Sequence, residues 1–145
     1  MPYMWADTLL ALERAHLLRL LLWGGASLLV GSALLAGLRL RAHRSSLLDH
    51  FGIQCALWGA IDLVLALIGL QRLGLRDLAG ATRLDRFLWL NVGLDAGYVM
   101  VGLTLLVIGW RVARRPGLVG AGLAVVVQGS ALVLLDLLLA SQISR

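Results

Sequence analysis

Three aspartates, Asp62, Asp95 and Asp136, stand inside long apolar runs, one in each of the last three runs of the chain. A charged side chain there costs roughly 2.5–3.5 kcal/mol at the centre of a membrane helix. Groups kept at that cost take up and release protons, hold a cation, or lock helices together through hydrogen bonds. Each has companions at helical spacing. Gln54, Trp58 and Asp62 step by four, as do Gln128, Leu132 and Asp136; Asn91 and Asp95 are four apart, with Tyr98 three further on. Such steps form one stripe along a helix. A polar stripe points into a bundle, because lipid offers it no partner.

Other chemistry finds little support. The chain has no P-loop, GxSxG, HExxH or CxxC, and Cys55 is alone, which excludes an intramolecular disulfide. A bis-histidine haem site needs two histidines at one depth, but His16 lies at one end of the apolar runs and His43 and His50 at the other. Carboxylate metal bundles supply Glu and a Glu-x-x-His pattern from several helices; here the one such pattern, Glu13-Arg14-Ala15-His16, precedes the first apolar run, and the three runs that carry the aspartates hold no Glu. No catalytic residue, metal or cofactor is assigned, and a non-enzymatic role is the leading expectation.

The elements that must position the aspartates follow from composition. The chain has 145 residues, room for one domain (1–145), and is 60% hydrophobic, with a mean hydropathy of +0.89. Its apolar runs cover about residues 17–38, 51–70, 87–110 and 118–140. At about 1.5 Å per residue each can cross a hydrocarbon core about 30 Å thick. The predicted fold is all-α: a four-helix transmembrane bundle, up-down-up-down, in a bacterial inner membrane. The first run follows Asp7 and Glu13 and is longer than the apolar part of a signal peptide, so it reads as a retained helix. Trp89 and Trp110 bracket the third run as interfacial residues. The connection 71–86, with leucines among charges, is expected on the surface as a short amphipathic helix. The first 16 residues are expected to behave alike, continuous with helix 1.

All thirteen basic residues are arginines. They lie in the gaps between apolar runs, where they meet lipid headgroups, so the sequence pI of about 11.0 does not imply nucleic acid. With side A defined as the face holding both termini, the arginines divide almost evenly between the faces. The triplet Arg39, Arg41 and Arg44 leans toward side B as cytoplasmic, with both termini outside. The lipid bilayer is the expected partner; a homo-oligomer and a larger membrane complex both stay open.

Counting from helix midpoints places Asp62 and Gln128 near the midplane, and Asp95, Asp136 and Asn91 roughly 6, 10 and 12 Å toward side A. Arg19 falls at a similar depth. Asp62, Asn91, Asp95, Tyr98, Gln128, Asp136 and Arg19 thus form the expected buried polar cluster. It reads either as a hydrogen-bonded network that fixes helix register or as a polar cavity for protons, a cation or a small ligand.

Glycines recur seven apart in every run, as Gly24/Gly31, Gly52/Gly59, Gly102/Gly109 and Gly122/Gly129, and Gly93-xxx-Gly97 is a further small-residue pair. Small residues let membrane helices approach closely. Gln54–Asp62 and Gln128–Asp136 repeat at an offset of 74 residues, as do Arg41 and Arg115. Two parallel hairpin repeats are one reading of that offset.

Trp58-Gly59-Ala60-Ile61-Asp62, Leu90-Asn91-Val92-Gly93-Leu94-Asp95-Ala96-Gly97-Tyr98, and Gln128-Gly129 followed by Asp136 resemble an uncharacterised family of small four-helix bacterial integral membrane proteins. The resemblance covers helices 2 to 4 and implies an architecture without an activity. Small multidrug transporters are similar in length and span count, but they rely on a glutamate within an apolar first helix, whereas Glu13 precedes the apolar run beside Arg14. The leading functional expectation is a structural or accessory membrane protein. The alternative is a small transporter or a proton- or ion-coupled protein using the aspartates; a lipid-modifying enzyme is third. A paired, dry network favours the first, and an open cavity the second.

Overall fold

A computed structural model of the chain describes residues 3–42 and 44–143, with side chains from Trp5 onward. His43, weighed above for haem, and Arg145, one of the thirteen arginines, lie outside the described residues. These residues form four α-helices and no strand: α1 (Tyr3–Leu40), α2 (Ser46–Gln71), α3 (Leu78–Val107) and α4 (Pro116–Ile143). All four are long and apolar enough to cross a membrane.

Local chemistry sets the boundaries. The α1 helix ends where Ala42 takes a positive φ of 50°. Ser45 caps α2, its hydroxyl accepting from the Leu48 N–H, and Asp77 caps α3, its carboxylate accepting from the Gly80 N–H at 2.7 Å. The expected surface helix within 71–86 is therefore corrected. Residues 78–86 are the first turns of α3, because Asp77 starts the helix there and no proline follows before the apolar run. At its far end α3 widens into a π-helical turn, Ile108–Val112. Pro116 then opens α4 at the position where its missing N–H is harmless.

Two glycine-lined seams hold the hairpins α1/α2 and α3/α4. Gly24 faces Gly59 and Gly31 faces Gly52; in the second hairpin Gly102 faces Gly122. A Cβ on Gly59 would strike the Leu28 backbone N–H and lie 2.6 Å from the Gly24 carbonyl oxygen, so the two backbones touch. The hairpins join through α4, which packs against α1 and α2 as well as α3. At the side-B end Gly120 abuts the Leu47 carbonyl; at the side-A end Leu88, Leu139 and Ala140 form a small core with Leu12. No Cα of α2 comes within 8 Å of any Cα of α3 among the described residues. That gap positions the site.

Candidate functional site

The gap between α2 and α3 is a cavity of about 510 Å³ in the half of the bundle that holds both termini. Asp62 reaches it from α2, Asn91, Asp95 and Tyr98 from α3, and Asp136 from α4, while α1 contributes Glu13 and His16. The three aspartates are buried and close enough for Asp95 to act electrostatically on both others. Asp62 is only 2% exposed, and its Oδ2 has no hydrogen-bond partner among the described residues. Asp136 fares better, with its Oδ1 3.3 Å from His16 Nε2 and the Asn91 side chain beside it. Among the described residues no three His, Cys, Asp or Glu side chains converge closely enough to hold one metal ion.

The ends of the cavity differ in character. Toward side A, Glu13 and Arg76 form a two-pronged ion pair, Arg76 donating through Nε to Oε2 at 2.8 Å and through a terminal nitrogen to Oε1 at 2.6 Å. It ties α1 to the α2–α3 connection, and the Glu13 carboxylate holds the Arg76 guanidinium above its ordinary pKa. Arg72 stands on the same rim. Toward the midplane the gap is bridged by Trp58 and Tyr98, with ring centroids 5.0 Å apart, edge to face. Between the ends the walls are chiefly leucine, isoleucine and phenylalanine.

The expected polar cluster divides in three. Asp62, Asn91, Asp95, Tyr98 and Asp136 share the cavity. Gln128 does not line it. Gln128 turns toward α1, where its Oε1 accepts from Trp23 Nε1 at 2.8 Å and its amide nitrogen donates to the Ser27 hydroxyl at 3.2 Å. Arg19 is exposed and leaves the cluster. The face of α1 toward the cavity carries Glu13, His16, Leu17 and Leu20, an i, i+3, i+4, i+7 stripe, and Arg19 falls to one side of it. That stripe was the available signal for His16 and Glu13. Arg76 left no such signal, since it lies 63 residues from Glu13 in a connection.

No curated protein and no solved structure matches the chain. The family of unknown function DUF6992 matches residues 19–137, from within α1 to the last aspartate of α4. The described cavity, apart from Glu13, His16 and Leu17 of α1 and Leu139 of α4, lies inside that stretch, and the chain belongs to this family.

Proposed function

We propose that the chain resides in a membrane as a small proton- or ion-coupled protein, a transporter in the simplest form, using the cavity between α2 and α3. Lipid is the surrounding that its exposed apolar faces fit: Leu22, Leu29, Val30, Leu57 and Leu134 all point outward. One observation carries the functional part, the unpaired Oδ2 of a nearly inaccessible Asp62 in a cavity shared with Asp95 and Asp136. Gln128 illustrates the other possibility. Its carboxamide is paired on both sides across α1, as a register-fixing network requires. Three facing carboxylates with one histidine among them are instead held together by bound protons or by a bound cation. A group that alternates between the two couples one flux to the other.

Infrared difference spectroscopy of the protein in lipid tests this directly. A protonated-carboxyl band should titrate while the amide bands stay unchanged, and Asp62→Asn, Asp95→Asn and Asp136→Asn should each remove part of it. Absence of a titrating band, or one that survives in all three variants, would overturn the proposal.

A further inference from the structure

We infer that the cavity binds a lipophilic monovalent cation, admitted sideways between α2 and α3 from the apolar phase. The inference rests on the carboxylate cavity proposed above and names its ligand. Its first support is the cavity's opening. Ile61 and Leu65 of α2 and Phe87 and Leu94 of α3 line the cavity, and each is about half exposed. With no backbone approach between these helices, the mouth is apolar on both sides. A hydrated inorganic ion finds no exchange partner there, whereas an ion that carries its own apolar shell loses nothing by passing.

The second support is the interior. Behind the apolar mouth stand Asp62 with its unpaired oxygen, Asp95, and Asp136 beside His16. The rim guanidinium of Arg76 is already bound by Glu13, and Arg72 and Arg19 stand at the edge of the cavity and beside His16 respectively. The interior is therefore acidic. Its carboxylates do not converge to metal-ligand distance, so they suit a cation whose charge is spread over several ångströms. Trp58 and Tyr98 line the cavity and pack edge to face on each other, and aromatic rings attract such cations. The volume of about 510 Å³ falls in the range of small-molecule sites.

Equilibrium dialysis with tetraphenylphosphonium, on the full chain in a neutral detergent, tests the inference. Its anionic counterpart tetraphenylborate is the control of equal size and shape. Tetraphenylphosphonium should bind saturably and tetraphenylborate should not. Asp62→Asn and Asp95→Asn should each weaken binding by more than about tenfold, and Trp58→Leu by a few-fold, with helicity and elution volume unchanged. If Asp62→Asn does not fold, Asp95→Asn carries the comparison. Acidification should weaken binding by up to about tenfold per pH unit, as protons and cation compete for the carboxylates. Equal uptake of both ions would identify a pocket for a neutral lipophile or a lipid tail and overturn the inference. So would undiminished affinity in both aspartate variants, or a dimer that buries the Ile61 and Leu94 wall and excludes the cation. A titrating carboxyl band without tetraphenylphosphonium binding removes the cation and leaves proton exchange standing. Saturable binding without that band removes proton exchange alone.

Discussion

Gln128 and Asp62 are both 2% exposed, yet substituting them should have different effects. Gln128 joins α4 to Trp23 and Ser27 of α1. Gln128→Leu leaves an indole N–H and a hydroxyl unmatched between helices, and should cost about 1 kcal/mol. A double-mutant cycle with Trp23→Phe, read by denaturation in mixed micelles, should show that the two changes are not additive; strict additivity would mean that the bond contributes nothing. Asp62 has an oxygen without a partner and two other aspartates nearby. Asp62→Asn removes the chance of like-charge repulsion while keeping the shape, so stability should be unchanged or higher, on the order of 1 kcal/mol. A marked loss of stability in that variant would place Asp62 in a structural network.

At the scale of the helices, the glycines separate into those that are seams and those that are not. Gly59 and Gly102 lie against backbone atoms of the facing helix, which cannot swing away as a side chain end can. Gly59→Ala and Gly102→Ala should each lower stability by about 1–3 kcal/mol through overpacking. Gly93 and Gly97, expected from sequence as a packing pair, face open space, where a side-chain carbon would meet nothing within 4 Å. Gly97→Ala should be neutral or gain up to about 1 kcal/mol from helix propensity. Thermal unfolding in detergent compares the three variants. Equal losses at Gly59 and Gly97 would mean that the described seams are not what selects these glycines.

For the whole molecule, the departure from symmetry is informative. A two-fold axis relating the hairpin α1/α2 to α3/α4 would match every α1–α4 contact with an α3–α2 contact. The structure has the first and lacks the second. The cavity occupies the place of the missing contact, so any repeat in the sequence is broken where the carboxylates face one another. Four antiparallel helices also place both termini on one face. With Cys55 replaced, single cysteines at Arg44 and Arg115 should react with a membrane-impermeant thiol reagent from one side of sealed vesicles, and a cysteine at Ala79 from the other. Labelling of residues 44 and 115 from opposite sides would break the assignment of spans.

The sequence by itself determined the four helices, the inward placement of Asp62, Asp95 and Asp136, and the glycine spacing of the seams. Each depends on local terms: apolar length against the width of a bilayer, the cost of an unpaired carboxylate in apolar surroundings, and the 3.6-residue period that turns spacing into a common face. The tertiary structure decided which faces meet. Gln128 and Asp136 lie eight residues apart on one helix, yet one binds Trp23 and Ser27 while the other opens on the cavity. Arg19 matched the cluster in depth and missed it in angle, whereas His16, a turn earlier, reached Asp136. Glu13 and Arg76 meet across 63 residues. Depth along an axis follows from counting residues, but rotation about that axis and the choice of neighbour follow from how the glycine seams bring whole helices together. That same choice draws α3 to α4 and leaves it apart from α2, which is the reason the cavity exists.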